Sequence, residues 1–233
     1  MDFSERHVVV TGGTGALGIA LVGALIEAGA VCHVPWHAEG EAEHFPHRGH
    51  RQVVLVGNTD LSDEADVARL FHGMDRLWAS IHLAGGFAMS PVAKTDKAAL
   101  MHQIEMNFVT CFLCCRAAVN RMVGNTDGGR IVNVAARPGL EWRSGAGMAA
   151  YAASKAGVAA LTAALAEEVA KDGILVNAVA PSIMDTPANR AAMPKADYTL
   201  WPKVEDVAKT ILFLASPENR VSRGGIVPVY GKS

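Results

Sequence analysis

The sequence predicts an α/β fold: a single domain over residues 1–233, built on a doubly wound, seven-stranded parallel sheet with helices on both faces. Three observations predict it. Short runs rich in valine and isoleucine alternate with longer stretches of helical periodicity. The short runs are apolar throughout rather than every second residue, as strands covered on both faces require. Glycines, above all a cluster at 12–18, punctuate the boundaries. Right-handed crossovers between such strands give the doubly wound arrangement.

Taken in order, "HVVVTG" (7–12) is a buried strand, and "GALGIALVGALIEAGA" is a helix with apolar i, i+3, i+4 spacing that Gly29 ends. "VCHVP" and "QVVLVG" (52–57) are the second and third strands. Between them lies the least structured stretch, "WHAEGEAEHFPHRGH" (36–50), polar and rich in histidine. "LSDEADVARLF" reads as a helix with a serine cap and acidic residues in its first turn. "LWASIHLAGG" ends a fourth strand, "KAALMHQIEMNFVTCFLCCRAAVNRMV" is one long helix, and "GRIVNVAA" is a fifth strand. Residues 149–171 form a helix, "ILVNAVAP" a sixth strand, 204–215 a helix and "GIVPVYG" the seventh strand. There is no internal repeat and no linker, and 233 residues suit one such domain.

Composition narrows the function. A net charge of −2 argues against a nucleic-acid or anionic-membrane binder. No apolar run reaches the roughly 18 residues of a membrane span. "MDFSERHVVV" lacks the features of a signal peptide, so a cytoplasmic location is expected. Cys111, Cys114 and Cys115 share one apolar helix, Cys32 sits alone in a strand, and no further ligand lies near them in sequence. They are expected as buried free thiols without a metal. His33, His37, His44, His47 and His50 are too loosely spaced for a zinc site and read as a surface loop.

"VVVTGGTGALGIAL" places Gly13, Gly15 and Gly18 in G-x-G-x-x-G spacing, after a predicted strand and opening a helix. That context marks a dinucleotide loop: glycines let the backbone approach a pyrophosphate, and the helix N-terminus offers free N–H groups. Gly12, Gly13, Thr14, Gly15, Ala16, Leu17 and Gly18 are therefore candidate cofactor contacts. An acidic residue at the end of the second strand would favour NAD. Here Trp36 or His37 stands there, no carboxylate appears before Glu39, and there is no arginine. NADP(H) is favoured over NAD(H), with Trp36 a candidate to stack on adenine.

"AAYAASKAGV" (149–158) sets a phenol and an ammonium four residues apart among alanines. On a helix Tyr151 and Lys155 share a face. The lysine charge is expected to lower the tyrosine pKa and so make it a proton donor or acceptor. The small neighbours Ala149, Ala150, Ala152, Ala153 and Ser154 are expected to let a flat nicotinamide and a substrate approach.

Together these residues resemble the short-chain dehydrogenase/reductase family across essentially the whole chain. "TGGTGALG", Asp60 and Leu61, "LAGG" (83–86), Asn107, "YAASK" and "NAVAPSIMDTP" fall in the family's order. The resemblance implies a Rossmann sheet and hydride transfer between nicotinamide and a substrate carbon. Tyr151 would move the proton, Lys155 hold the nicotinamide ribose, and Asn107 steady a relay water. It also implies cofactor contacts at Asp60, Leu61, Ala84, Gly85, Gly86, Pro181, Ile183 and Thr186. Substrate contacts are expected at Phe87, Ala136, Met148 and Met184, under a short lid at 182–203, with no metal required. A homo-oligomer, dimer or tetramer, is implied through the Asn107 and Tyr151 helices, where Ala159, Ala160, Ala163 and Ala164 allow close packing.

Three departures refine this. The family's serine after the fifth strand is replaced by Ala136, which cannot donate a hydrogen bond; Ser144 is the nearest substitute. Losing one such donor costs on the order of 3 kcal/mol of transition-state stabilisation, which favours a conjugated, quinonoid or imine-like acceptor over a plain ketone. His82 and Leu83 replace the asparagine usual before "AG", with His82 expected as a satisfied core histidine. The lid is too short to enclose a bulky steroid-like ligand. "GGTGALG", "AGGF" and "DTPANRAAMPKADYTLW" are similar to the dihydropteridine reductase branch, which also lacks the serine. A 3-oxoacyl-thioester reductase, with Arg137, Arg143 and Arg190 as carrier contacts, and a non-catalytic dinucleotide sensor are the other readings.

Overall fold

The computed structural model describes residues 1–74 and 76–233. Its strands are β1 (His7–Thr11), β2 (Val31–Pro35), β3 (Val53–Val56), β4 (Leu77–His82), β5 (Gly129–Val134), β6 (Ile174–Pro181) and β7 (Ile226–Val229). They pair in parallel in the order 3-2-1-4-5-6-7, as expected for a Rossmann-like sheet. The helices are α1 (Ala16–Glu27), α2 (Glu39–Glu43), α3 (Glu64–Phe71), α4 (Lys97–Ile104), α5 (Thr110–Met122), α6 (Arg137–Leu140), α7 (Ala149–Glu168), α8 (Pro187–Ala192) and α9 (Val204–Ala215).

Strand β1 shows why the apolar runs are continuous. Val8 and Val10 enter the core under α1 and α9, whereas Val9 enters the opposite core under α3, α5 and α7. Each fully buried Leu, Ile or Phe, such as Leu21, Ile211 and Phe71, contributes about 1.5–3 kcal/mol of hydrophobic stabilisation. The order of the sheet reverses between β1 and β4. The chain leaves β1 for β2 and β3 on one side and returns to β4 on the other, which opens a crevice at the C-terminal strand ends. There Thr11 lies in register with His82, and the Leu83 N–H donates to the Thr11 carbonyl at 3.1 Å.

Four local expectations change. The cap of α3 is Asp63, whose carboxylate accepts from the Ala65 and Asp66 N–H groups; Ser62 turns back to Asp60. The long helix is interrupted by a π-helical turn, Glu105–Val109, which carries Asn107 between α4 and α5. The 36–50 stretch holds α2 and buries Phe45 in the core. Of its histidines, His44 bonds the Gly40 carbonyl, His47 that of Ile19, and His50 accepts from the Gln52 N–H, while His33, in β2, pairs with His7. Finally, Lys97–Met122 and Ala149–Glu168 are long and apolar enough to cross a membrane by length and composition. The expectation that no segment reaches that length is thus corrected. Both stretches pack on the sheet, against β4 and β6, as core helices of an α/β domain do.

Candidate active site

The glycine loop follows β1 directly. Gly12 has φ +65°, and a Cβ there would lie 2.7 Å from the Ala84 nitrogen, so the loop rests on the segment after β4. A Cβ at Gly18 would overlap the Gly12 carbonyl oxygen, which explains the glycine that lets α1 start this close. Gly15 caps α1 without a side-chain bond, the first turn holds no acid, and Gly15 and Ala16 are exposed. The uncapped N–H groups and positive helix end suit a pyrophosphate. Leu17 departs from expectation: its side chain is buried in the core, leaving only its backbone to face a ligand.

Beyond the loop, Thr14 Oγ1 donates to Glu41 Oε2 at 3.2 Å, a contact with no sequence signal. The Trp36 ring covers Gly57, where a Cβ would come within 2.6 Å of the indole, and His37 is exposed. The Asp60 carboxylate accepts from the Ser62 N–H and hydroxyl, which holds its pKa below the usual range. Leu61 is half-buried beside it.

Across the crevice, the Ala84 N–H donates to Thr11 Oγ1 at 3.3 Å. Asn107 is buried and mates with the next peptide as a strand would. Its Oδ1 accepts from the Gly86 N–H at 3.1 Å, and its Nδ2 donates to the Gly86 carbonyl at 3.0 Å and to that of Gln103 at 3.1 Å. Gly85 has φ +156° and no room for a Cβ beside Asn107 Oδ1 and Lys155 Nζ. Lys155 is buried at 6% exposure and donates from Nζ to the Val134 carbonyl at 2.9 Å. Among the described residues that is its one hydrogen bond. Two N–H bonds of a buried ammonium are left for a ligand, as a ribose diol would require. Burial pushes its pKa down to about 8. With the glycine cradle, this orphaned donor fits a nicotinamide dinucleotide.

Tyr151 packs edge-on against Phe87, with ring centroids 5.0 Å apart and planes at 87°. Burial pushes its hydroxyl up to about 12, and the charge of Lys155, committed to Val134, does not offset this. That direction is opposite to the acidification expected from Lys155. The small residues also serve another end. Ala149, Ala152 and Ala153 line a groove of about 540 Å³ with Trp142, and neither Tyr151 nor Lys155 borders it. Ser154 is buried and donates to the Tyr151 carbonyl at 2.8 Å.

Ala136 is buried at the start of α6 in extended conformation and offers no side-chain donor. Ser144 does not replace it, since its hydroxyl donates to the Glu141 carbonyl on an exposed turn. Met148 caps α7, and Met184 packs in part against the core. Pro181 ends β6, Ile183 is exposed, and Thr186 caps α8 by accepting from the Asn189 N–H. The 182–203 segment is closed at its base by Asp185 bridging Lys203. It is braced by the Arg190–Asp185 ion pair at 2.6 Å and by Tyr198, whose hydroxyl donates to the Arg190 and Met193 carbonyls. His82 is satisfied as expected, between Ser80 Oγ at 2.7 Å and Asn133 Oδ1 at 2.8 Å.

The sequence model described as short chain dehydrogenase matches residues 6–197. The chain belongs to that family. Cis-4-hydroxycyclohexanecarboxylate dehydrogenase of Sinomonas cyclohexanicum is 35% identical over 249 residues, covering 98% of this chain and 96% of the relative. A solved short chain dehydrogenase/reductase family protein superposes with a TM-score of 0.90 at 25% identity, over 99% of this chain and 98% of its own. ElxO with NADP bound superposes with a TM-score of 0.87 at 23% identity, over 97% of each chain, a likeness of fold. As a short-chain dehydrogenase, this chain is an NAD(P)-dependent oxidoreductase. The residues that sequence reading missed, Val134, Gln103 and Glu41, act through backbone carbonyls or distant folding contacts that no short-chain dehydrogenase motif encodes.

Proposed function

We propose that this oxidoreductase works as a reductase of a small conjugated, quinonoid or imine-like acceptor, with Tyr151 as proton donor. The observation that carries the reading is that Ala136, buried and extended at the start of α6, offers no side-chain donor, while Tyr151 and Lys155 stand one turn apart on α7. The bound dinucleotide supplies the hydride. The chain's own part is to hold the ribose through Lys155, to keep the Gly85–Gly86 peptide in place through Asn107, and to deliver a proton from Tyr151 Oη. Without a second polarising donor, the acceptor must carry its own activation.

NADP(H) is supported by the absence of a carboxylate at Trp36 and His37, and by the NADP held in the fold neighbour ElxO. Glu41 beside Thr14 pulls the other way. Quinonoid dihydropterin is a second reading, favoured by the short braced segment at 182–203, which we read as the substrate lid. Exposed Leu100, Met101 and Phe112 on α4 and α5 support self-association.

The test is oxidation of NADPH and NADH against quinonoid dihydropterin, enones, quinones, short 3-oxo esters and plain ketones. Conjugated acceptors should turn over about 100-fold faster than ketones, and Ala136→Ser should narrow that gap about tenfold. The extended backbone at 136 already suits a serine cap, so the variant should fold. Ketones turning over as fast as conjugated acceptors in the native chain would refute the reading.

A further inference from the structure

Spacing along the sequence shows no ligand near the cysteines, but the fold supplies one. Cys111 and Cys115 lie four residues apart on α5 and face the same side. His82 on β4 meets them there: one ligand atom from each of the three lies within 4.8 Å of the others. A fourth donor comes from β5. Asn133 Oδ1 is 2.8 Å from His82 Nδ1 and 3.4 Å from Cys115 Sγ, and Cys115 Sγ is 3.5 Å from His82 Nδ1. All four residues are buried, none more than 5% exposed.

We propose that His82, Cys111, Cys115 and Asn133 form a structural zinc site beneath the nicotinamide end of the crevice. Zinc bonds of about 2.0–2.3 Å in a tetrahedron separate the ligand atoms by about 3.3–3.8 Å. The Cys115 distances to His82 and Asn133 already lie in that range; the His82–Asn133 hydrogen bond must open by about half an ångström, and the Cys111 thiol, within 4.8 Å of the His82 and Cys115 ligand atoms, must settle into the same range as the metal binds. Outer partners are in place. With Nδ1 on the metal, His82 Nε2–H donates to Ser80 Oγ at 2.7 Å, which fixes the tautomer. Asn133 Nδ2 donates to Thr162 Oγ1 at 2.9 Å, and Thr162 in turn donates to the Val158 carbonyl, so Oδ1 stays turned to the site.

The charges balance. Binding releases the two thiol protons to solvent, and Zn²⁺ with two thiolates is neutral, the form that burial tolerates. The Lys155 ammonium, near enough to interact with Cys111, then faces a neutral centre rather than a second cation. The site ties α5 to β4 and β5 and takes no part in proton or hydride movement. Because its residues are closed to solvent, it loads as the chain folds.

The experiment uses the whole chain, unfolded with a chelator and refolded with Zn²⁺ or Co²⁺. Zinc content should reach one per chain, and Co²⁺ should give the intense visible absorption of a tetrahedral thiolate site. Cys111→Ala and Cys115→Ala should each abolish both signals, while Cys32→Ala and Cys114→Ala should keep them. Native chain that refolds without metal in excess Zn²⁺ overturns the proposal. So do an octahedral cobalt spectrum, or zinc content in the Cys111→Ala and Cys115→Ala chains equal to that of the native chain.

Discussion

The two ends of the crevice are built by different rules. At the nicotinamide end, Asn107 and Lys155 are buried and reach backbone carbonyls, with four hydrogen bonds between them and the main chain. At the adenosine end, Thr14 meets Glu41, side chain to side chain, in solvent, and His37 is exposed. Buried groups anchored to the backbone give large effects of either sign when cut, because a lost neutral partner leaves backbone groups unpaired and a removed buried charge relieves its desolvation, whereas exposed pairs contribute little. Under the proposed function, chemistry is thus held on a stiff part of the fold, and the choice of cofactor lies on a soft one.

The largest expected effect tests the stiff end. Tyr151→Phe should lower kcat by about 10²–10⁴ while leaving the dinucleotide dissociation constant within about twofold. Phenylalanine keeps the edge-on contact with Phe87, so packing is preserved. Steady-state kinetics and fluorescence titration separate the two readouts; unchanged turnover would remove Tyr151 as the proton donor and break the comparison.

Lys155 gives the next effect, and its sign is informative. Its folded pKa of about 8 lies below the ordinary 10.5, so between those values the unfolded chain binds more protons and stability rises with pH. Below pH 8 the full burial penalty of about 3 kcal/mol is present, and it is relieved as pH approaches 10.5. Lys155→Met should therefore stabilise the unliganded chain by up to about 3 kcal/mol at pH 7, and by much less near pH 10.5. It should also lose dinucleotide affinity. Urea melts across that range check the first claim, and a pH-independent difference would show that the ammonium is better solvated than its burial implies.

Asn107→Ala should destabilise by about 1–3 kcal/mol, because the Gly86 N–H and carbonyl lose their partner together. Asn107→Asp keeps the acceptor and should recover part of the loss at neutral pH. Equal stability of Asn107→Ala and native chain in urea melts would mean that water replaces the carboxamide, and the stiff end would be softer than drawn.

Much of this was legible in the sequence, for a physical reason. Strand identity follows from continuous apolar runs, and the glycine loop from spacing that sterics enforce at Gly12 and Gly18. Tyr151 and Lys155 were found because four residues on a helix define a face. What stayed hidden depends on chain segments far apart in sequence. Lys155 turns to Val134, 21 residues away, so its charge does not acidify Tyr151. The π-turn that interrupts the expected long helix carries Asn107, whose carboxamide bonds Gly86, 21 residues away in sequence. Ala149, Ala152 and Ala153 looked like clearance for a cofactor, yet they line the groove under Trp142. His82 joins Cys111 and Cys115 only through strand order, which no spacing along the chain reveals.

The smallest effect lies at the soft end. In the proposed placement of the cofactor the adenosine ribose lies by Thr14, and Glu41 reaches the Thr14 hydroxyl from α2. A carboxylate there repels a 2′-phosphate and can accept from a free 2′-hydroxyl. Glu41→Gln removes the charge at constant shape, so NADPH should gain on NADH. Because Glu41 is exposed and Thr14 only half-buried, solvent screening holds the gain to about 1 kcal/mol or less, a fewfold change in the ratio of dissociation constants. The gain should shrink further as salt rises. Paired titrations with the two reduced cofactors at low and high ionic strength decide it. A ratio that moves by orders of magnitude would place Glu41 on the stiff side of the divide, and one that does not move would leave selection to Trp36 and His37.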